Sequence, residues 1–430
     1  MNQKKKVSLI TLGCKVNTYE AEAIGAYLFE NGYNVVSGLV PADIYILSSC
    51  AVTNEAERKS RGQIAKILKI NPNADIYVCG CAAQHDPNQF LKFDNVKYAV
   101  GTNDKLKIAK LIMGKENSED KFDIKLTNIY NDSYESTHTR TRAVIKVQDG
   151  CNNFCSYCLI PYLRGRERSR SLTSIKNEIE RLTKSTKEIV LAGINLSSYG
   201  NDFVNQNISL IDVAELFAEH NVKFRFSSLE VNIITDDFLR RLRKLNNFQP
   251  HFHLSMQSAS DNVLKKMNRH YTISEYMSKV DLIRKYFPDA GITTDVIVTF
   301  PNETEEDFNE TYKNCQKIGF LWMHVFPFSP RGGTAASKMK NINDGNDAKI
   351  RVNKLTDLAN KMRDDFVTRR IGREYLVIIE QEKDGLFVGH TPNFIKCYVK
   401  SCKVLNSNDE VLVKITDVYK DGAIAEIVEG

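Results

Sequence analysis

Short apolar runs and longer amphipathic stretches alternate along the first 110 residues of the chain. Three apolar runs predict buried strands, at residues 7–12, 43–47 and 74–78. The stretches at residues 18–30 and 55–70 predict helices, and the first of them ends at an Asn-Gly pair. Strands that alternate with helices form parallel sheets, so residues 1–114 are predicted to form an N-terminal parallel α/β domain.

A polar stretch at residues 115–139, rich in Asn, Asp, Ser, Glu and Thr, predicts a linker to a second domain at residues 140–366. In that domain six apolar runs alternate with helical stretches, which predicts a partial (β/α)6 barrel of parallel strands. The six runs are residues 143–147, 188–191, 225–228, 251–254, 294–298 and 322–326. Barrels of this kind carry their chemistry at the C-terminal ends of the strands.

The pattern changes again after a charged helical stretch at about residues 347–370. Residues 367–430 contain short β-rich runs separated by Gly, Asn and Asp, which predicts a small all-β barrel. The predicted fold class is therefore α/β for the first two domains, with an all-β domain at the C-terminus.

The composition is that of a globular protein, with 42% of the 430 residues hydrophobic and 26% charged. No apolar run reaches the ~18–20 residues of a membrane span, and no secretory signal is recognisable. We therefore expect no membrane association and a cytoplasmic location. In that reducing compartment the ten cysteines are expected to be metal ligands, redox groups or small core residues rather than disulfides.

Cys151, Cys155 and Cys158 directly follow the first predicted strand of the central domain. A CxxxCxxC spacing allows three thiolates to ligate three irons of one 4Fe–4S cube. The fourth iron then has no protein ligand, and an open metal position is where cofactor chemistry occurs. The alternative is a structural zinc site, which needs four ligands; no second cysteine pair is near, and His138 is the only nearby candidate.

Three further cysteines each follow a predicted strand of the N-terminal domain: Cys14, Cys50 and Cys81. Their separations of 36 and 31 residues are about one βαβ unit each. In a parallel sheet all three emerge at the same carboxyl edge, where ligand sites form, so they could hold a second cluster. The alternative is three unconnected core cysteines, since free cysteine is a common small buried residue.

Basic charge is concentrated between residues 138 and 170, which contain seven Lys and Arg against two carboxylates, while the whole chain carries only +6. Four arginines follow the cysteine segment closely: Arg164, Arg166, Arg168 and Arg170. Such charge beside a candidate active site favours contact with RNA phosphates. The alternatives are a solvated basic face and an internal ion-pair network.

The segment CNNFCSYCLIPYLRGRERSR at residues 151–170 resembles the radical S-adenosylmethionine superfamily. The resemblance implies that the open iron binds the amino and carboxylate groups of S-adenosylmethionine. It also implies that electron transfer cleaves this cofactor to a 5′-deoxyadenosyl radical.

The segment TLGCKVNTYE at residues 11–20 and the segments around Cys50 and Cys81 extend this resemblance to the methylthiotransferase family. It covers nearly the whole chain, as an N-terminal methylthiotransferase domain, a radical domain and a C-terminal TRAM domain. The resemblance implies that Cys14, Cys50 and Cys81 hold an auxiliary 4Fe–4S cluster that supplies sulfur. The radical would remove hydrogen from an unreactive carbon, which then receives a methylated sulfur.

Segments 188–195, 227–230, 256–261 and 294–298 are similar to further parts of the family. The similarity implies an S-adenosylmethionine site formed by the following residues: Tyr157, Asn195, Glu230, Gln257 and Asp295. The likeness to TRAM domains implies RNA contact by Lys396.

Gly-Cys-Lys-Val-Asn at residues 13–17 is most similar to the branch that converts N6-threonylcarbamoyladenosine at tRNA position 37 to its 2-methylthio derivative. The implied partners are the tRNA anticodon stem-loop and an electron donor such as flavodoxin or ferredoxin, with the enzyme acting as a monomer. Alternative substrates are isopentenyl-adenosine in tRNA and a ribosomal-protein aspartate. A further alternative is an iron–sulfur RNA-binding protein without turnover.

Three positions depart from the family pattern, with Ala259, Thr299 and Asn302 where glycine is usual. Glycine at such places often indicates a positive φ or a close approach of a ligand to the backbone. Asn tolerates the left-handed region and Ala is small, so the loops are expected to persist, with altered ligand geometry near them.

Overall fold

A computed structural model describes residues 5–130 and 141–428 of the chain. Within those residues no helix is both long and apolar enough to cross a membrane. His138, Arg140 and most of the second half of the predicted linker lie outside the described residues.

The N-terminal part is a six-stranded sheet in the order β2-β1-β3-β4-β5-β6, and every strand pair is parallel. Its elements are β1 (Lys6–Thr11), α1 (Lys15–Glu30), β2 (Asn34–Ser37), β3 (Ile44–Ser49), α2 (Asn54–Ile70), β4 (Asp75–Gly80), α3 (Cys81–His85), α4 (Asn88–Leu91), β5 (Val96–Val100), α5 (Lys107–Ile112) and β6 (Phe122–Asp123). The strands β2 and β5 were not predicted, nor was the two-residue β6, which lies inside the predicted linker. The parallel α/β architecture is confirmed.

The sheet is buried on both faces, as its apolar strands predict. All six residues of β3 are buried. Cys79 and Cys81 contribute to two different core clusters, one on each side of the sheet. Residues two apart in a strand share a face, but Cys81 lies beyond the end of β4 as the first residue of α3, so it can pack on the side opposite to Cys79.

The central part contains all six predicted strands, now as β7, β10, β11 with β12, β13, β14 and β15, paired in parallel. Its elements are β7 (Arg142–Lys146), β8 (Gln148–Asp149), α6 (Ile160–Arg164), β9 (Arg168–Ser169), α7 (Leu172–Leu182), β10 (Glu188–Ala192), α8 (Leu210–Glu215), β11 (Lys223–Phe226), β12 (Ser228–Leu229), α9 (Asp236–Leu242), β13 (His251–Leu254), α10 (Asp261–Lys266), α11 (Ile273–Tyr286), β14 (Gly291–Val298), α12 (Glu305–Ile318), β15 (Trp322–Pro327) and α13 (Gly345–Thr368).

The third predicted strand is divided at Ser227, which separates β11 from β12. The Ser227 N–H still donates to the Leu191 carbonyl at 2.8 Å, so the strand path bends without losing its neighbour. The sheets β11-β10-β7 and β12-β13-β14-β15 therefore follow one another around the same core cluster. The predicted partial barrel is confirmed. The short antiparallel pair β8–β9 beside it was not predicted.

The C-terminal part is a closed five-stranded barrel in the order β16-β17-β18-β20-β19, which confirms the predicted all-β domain. Its strands are β16 (Glu374–Lys383), β17 (Leu386–His390), β18 (Lys396–Lys400), β19 (Glu410–Tyr419) and β20 (Gly422–Ile427).

The loop between β17 and β18 attaches this barrel to the central domain. Its Asn393 donates to the Asp289 carboxylate at 2.9 Å. Its Phe394 ring is stacked between His251 and His390, with ring centroids 4.2 and 4.6 Å away. Gly291 accommodates the loop, because a Cβ there would lie 2.0 Å from the Asn393 carbonyl oxygen.

Candidate active site

Cys151, Cys155 and Cys158 lie on one loop after β8, and N–H donors point at each sulfur. The Asn153 and Ile160 backbone N–H groups donate to Cys151 and Cys158 Sγ at 3.4 Å each. Burial raises the pKa of Cys151 to about 11 and that of Cys158 to about 12. Burial alone thus favours the neutral thiols, whereas N–H donors to sulfur stabilise thiolates and tune iron–sulfur clusters, so the contacts of this loop fit a cubane.

The third sulfur has a side-chain donor, Arg269, whose Nη1 lies 3.5 Å from Cys155 Sγ. The same guanidinium binds both carboxylate oxygens of Glu230, with Nη1 at 3.0 Å, and is itself almost fully buried. Its pKa stays well above its usual value, because the neighbouring carboxylate and other acidic groups outweigh the opposing effect of burial. Arg269 was not predicted from the sequence, because it lies 114 residues from the cysteine it contacts.

A cavity of about 270 Å³ lies beside this loop and is lined by Cys155, Asn195, Glu230 and Arg269. It brings together two of the five predicted S-adenosylmethionine residues with the cysteine loop. The residues around it are mostly polar: Asn153, Glu167, Ser197, Ser198, Asn201 and Asn232. Such a lining suits the polar amino acid and ribose groups of that cofactor.

The other three predicted cofactor residues lie elsewhere. Gln257 adopts φ +68° and bridges to β14, where its N–H donates to the Asp295 carbonyl at 2.9 Å. The Asp295 side chain lines a second cavity. Tyr157 does not line either cavity; its ring packs edge-on against Phe300, with the two ring centroids 6.4 Å apart.

Cys14, Cys50 and Cys81 lie at the carboxyl ends of β1, β3 and β4, as predicted. Two glycines allow their loops to come close together. A Cβ on Gly13 (φ +100°) would lie 3.0 Å from Cys50 Sγ, and one on Gly80 (φ +99°) would lie 2.5 Å from the Ser49 carbonyl oxygen. No other residue fits these two positions without strain.

Polar side chains tie the three cysteine loops together. Asn17 Nδ2 donates to the Leu12 carbonyl at 2.9 Å and to the Ser49 carbonyl at 3.0 Å, which joins the Cys14 loop to the end of β3. Ser49 Oγ donates to the Cys79 carbonyl at 2.6 Å and accepts from the Ala83 N–H at 3.2 Å. These bonds hold the ends of the three strands in one arrangement.

The three thiols influence one another electrostatically. Burial, with smaller contributions from Cys81 and Cys14, raises the pKa of Cys50 to about 11 against the opposing effect of a hydrogen bond from the Val52 backbone. Among the residues that the structure describes, no three His, Cys, Asp or Glu side chains converge closely enough to hold a single metal ion. A cubane takes each thiolate on a different iron, so it needs no such convergence, and this set fits it better than a closed zinc site.

A cavity of about 1020 Å³ lies where the three domains meet. Cys14 and Cys50 form part of one wall of this cavity. The inner face of the central partial barrel forms a second wall, and the β17–β18 loop of the C-terminal barrel forms a third. Trp322, His324 and Phe326 alternate along β15 and line the cavity with their rings. The His324 and Phe326 rings are nearly parallel, at an interplanar angle of 22°.

The cavity is lined by five Lys or Arg and two Asp residues. Arg142 and Arg225 share the buried carboxylate of Glu188. Burial alone would raise the pKa of Glu188, but these two guanidinium groups outweigh it and hold the pKa at about 2. The cavity is therefore a cationic chamber beside two cysteines, large enough for a nucleobase and its substituent.

The comparisons with known proteins agree with this arrangement. Residues 145–315 match the Radical SAM superfamily, and residues 6–101 match the Uncharacterized protein family UPF0004. The threonylcarbamoyladenosine tRNA methylthiotransferase of Bacillus subtilis is 35% identical over 98% of this chain and 97% of its own length. The chain belongs to the radical S-adenosylmethionine methylthiotransferase family.

A second methylthiotransferase, the tRNA-2-methylthio-N(6)-dimethylallyladenosine synthase of Bacteroides fragilis, is 32% identical over 97% of this chain and 94% of its own length. Among solved structures, the radical S-adenosylmethionine methyltransferase TsrM from Kitasatospora setae has a TM-score of 0.57 at 11% identity, covering 78% of this chain and 77% of its own. That likeness concerns the fold alone. Family membership makes this methylthiotransferase an enzyme that uses S-adenosylmethionine and a 4Fe–4S cluster.

In this methylthiotransferase three of the four arginines predicted to contact RNA are buried, so that part of the prediction is wrong. Arg164, with no exposed surface, donates to Glu20, Asp149 and Asn17 at 2.9–3.1 Å. Arg168 bonds Asp149 at 2.9 Å, and Arg170 pairs with the buried Glu178. The internal ion-pair alternative is correct for these three residues.

The other two predicted RNA contacts are accessible. Arg166 is exposed, with its guanidinium 4.6 Å from the centre of the Phe154 ring on the cysteine loop. Lys396 lines the large cavity and pairs with Asp421 at 2.9 Å.

The structure shows the backbone conformation of the three residues that replace the usual glycines, Ala259, Thr299 and Asn302. Thr299 adopts φ +54° and Asn302 φ +60°, so both hold the left-handed conformation that glycine favours. Ala259 is not among the residues of positive φ. It is fully buried, and its N–H lies 3.3 Å from Thr311 Oγ1, so a small side chain suffices there.

Proposed function

We propose that this methylthiotransferase converts N6-threonylcarbamoyladenosine at position 37 of tRNA to its 2-methylthio derivative, acting as a monomer in the cytoplasm. The observation that carries this proposal is the three-domain cavity, which joins two cysteines of the second predicted cluster site to the barrel interior. A loop base that leaves its stack can enter such a chamber, and single-stranded loop bases are the usual targets of RNA readers. The anticodon stem-loop is the proposed partner.

The choice of threonylcarbamoyladenosine over dimethylallyladenosine as the substrate rests on charge. Sequence identities of 35% and 32% do not separate the two kinds of relative. A threonylcarbamoyl group ends in a carboxylate, whereas a dimethylallyl group is an uncharged hydrocarbon. The cavity lining contains five Lys or Arg against two Asp, and one of these cations, Lys15, has no carboxylate partner among the described residues, which favours the anionic substituent. Dimethylallyladenosine is the second candidate, supported by the aromatic side chains of β15.

Two cluster sites complete the proposal. Cys151, Cys155 and Cys158 hold the 4Fe–4S cluster that works with S-adenosylmethionine, and Cys14, Cys50 and Cys81 hold an auxiliary one. When bound, these groups supply radical chemistry and sulfur. A flavodoxin or ferredoxin is the proposed electron donor.

The residues of the chain bind and orient the reactants. Arg269 holds Glu230 against the cofactor cavity and donates to Cys155 Sγ. The β15 rings offer a stacking surface for the base, and base–aromatic stacking is sequence-tolerant. Arg166, outside the large cavity, and Lys396, in its lining, are proposed to contact the RNA backbone.

The test is an anaerobic assay with anticodon stem-loop RNAs. Reconstituted enzyme, S-adenosylmethionine and a reductant are incubated with RNA that carries threonylcarbamoyladenosine, dimethylallyladenosine or unmodified adenosine, and nucleosides are analysed by mass spectrometry. Methylthio product from the first RNA alone supports the proposal, and product from the second alone overturns the branch.

The second cluster is tested separately by its iron. Wild-type enzyme should bind about eight irons per chain and a Cys14/Cys50/Cys81 triple alanine variant about four. The Cys79→Ala variant is the matched control, because that thiol is buried on the other face of the sheet and should leave the iron content unchanged. Equal iron in wild type and triple variant would remove the auxiliary site.

A further inference from the structure

Lys15 differs from every other cation of the three-domain cavity. Four of the five Lys and Arg residues in its lining have carboxylate partners within 3 Å: Arg142, Arg225, Arg363 and Lys396. Lys15 forms no hydrogen bond or ion pair with any residue that the structure describes, although its side chain lines the same cavity. Among residues 5–130 and 141–428, Lys15 is therefore the cation of the cavity lining that has no carboxylate partner.

The surroundings explain why no protein carboxylate reaches it. Asp295, which also lines the cavity, bonds His253 at 3.3 Å and forms no ion pair with Lys15. Asp421 is occupied by Lys396. An ammonium group in a partly enclosed chamber, without a partner of its own, is a receptor for an anion that arrives with the substrate.

The position of Lys15 in the chain places it beside a predicted cluster ligand. It directly follows Cys14 and is the first residue of α1, so its backbone is fixed by the loop that carries a predicted cluster ligand. An anion held at Lys15 is therefore held beside that cysteine. In threonylcarbamoyladenosine the acidic substituent is on N6, and the ring carbon that carries N6 is separated by one ring nitrogen, N1, from the carbon C2 at which sulfur is introduced. A contact at the substituent thus fixes the register of the reacting carbon.

We infer that Lys15 binds the threonine carboxylate of the substrate and thereby selects the modified base over unmodified adenosine. The inference rests on the proposed function, and it concerns specificity rather than chemistry. A tRNA phosphate is the other anion that this ammonium could bind. The two sources differ in one respect, because every RNA carries phosphates while only the modified one carries the carboxylate.

The experiment measures equilibrium binding of two anticodon stem-loops that differ only at position 37, one with threonylcarbamoyladenosine and one with adenosine. The holoenzyme is compared with its Lys15→Gln and Lys15→Arg variants by fluorescence anisotropy. Loss of a charge-assisted contact should weaken binding of the modified RNA about tenfold to a hundredfold in Lys15→Gln, with less than about a twofold change for the unmodified RNA. Lys15→Arg should retain most of the preference.

Lys176→Gln is the matched control, since it removes a lysine that does not line the cavity and lies 3.9 Å from Glu180 on the exposed side of α7. Its ratio of affinities for the two RNAs should equal that of the wild type. Circular dichroism and iron content confirm that each variant is folded and loaded.

Equal weakening of both RNAs by Lys15→Gln would assign the contact to a phosphate and overturn the inference, as would no weakening at all. The binding ratio does not depend on turnover. Absence of methylthio product in the wild type therefore overturns the proposed function without deciding the role of Lys15.

Discussion

Replacing Asp149 by asparagine removes one of two carboxylates that neutralise four buried cations. Asp149 accepts from Lys146 at 2.7 Å, from Arg168 at 2.9 Å and from Arg164 at 3.0 Å, and only 1% of its surface is exposed. The remaining carboxylate, Glu20, contacts Lys146 and Arg164 but not Arg168. Asp149→Asn therefore leaves a buried guanidinium without any carboxylate.

Breaking a buried ion pair from one side costs about 3–5 kcal/mol, because the remaining charge stays desolvated. For a domain of this size each kcal/mol lowers the melting temperature by about 2 °C or more, so a fall of about 6–10 °C is expected. The assay is thermal unfolding of the cluster-free protein, followed by circular dichroism. Glu180→Gln is the control, since that carboxylate is half exposed and lies 3.9 Å from Lys176, where a pair contributes at most about 1 kcal/mol. A melting temperature no lower than that of the control would refute the reasoning.

Three further predictions concern single side chains. Thr299→Gly should raise the melting temperature, because a β-branched residue at φ +54° stores about 1–3 kcal/mol of strain. Thr183→Gly is the control and should lower the melting temperature, because Thr183 has an ordinary φ of −57°. Because the pKa of Glu188 is about 2, its ionised carboxylate should contribute about 3 kcal/mol to the free energy of unfolding above about pH 5, and this contribution is lost as the pH falls toward 2. Urea titrations should show this loss in the wild type and a much smaller loss in Glu188→Gln. Arg269→Lys should weaken S-adenosylmethionine binding about tenfold in equilibrium dialysis, since lysine cannot hold both oxygens of its carboxylate partner, and unchanged binding would contradict the assigned role.

The strands could be predicted well from the sequence because buried parallel strands appear as uninterrupted apolar runs. The run at residues 251–254 coincides with β13 (His251–Leu254), and the others differ from their strands by a few residues. The two-residue β6, β8 and β9 were missed, since two residues carry no periodicity, and the short strands β2 and β5, of four and five residues, were missed as well. The cysteines at strand ends were predictable for the same topological reason.

The direction of a charged side chain could not be predicted in the same way. Arg164 and Arg166 are two residues apart in one basic run, yet the first is fully buried and the second is exposed. The difference depends on Glu20, 144 residues away in the N-terminal sheet domain. Arg269 was missed for a similar reason, since its partner Glu230 is distant in sequence. Local sequence gives charge, whereas burial is decided by tertiary neighbours.

The two cysteine trios differ in how much of the chain must be ordered before each exists. Cys151 to Cys158 span eight residues, so a nascent chain holds that trio as soon as one loop has formed. Cys14 and Cys81 are 67 residues apart and meet only after three parallel strands have paired, which is slow because the contacts are non-local. A substitution that loosens the pairing of β1, β3 and β4 would therefore separate the N-terminal trio, whereas the central trio would stay together on its single loop.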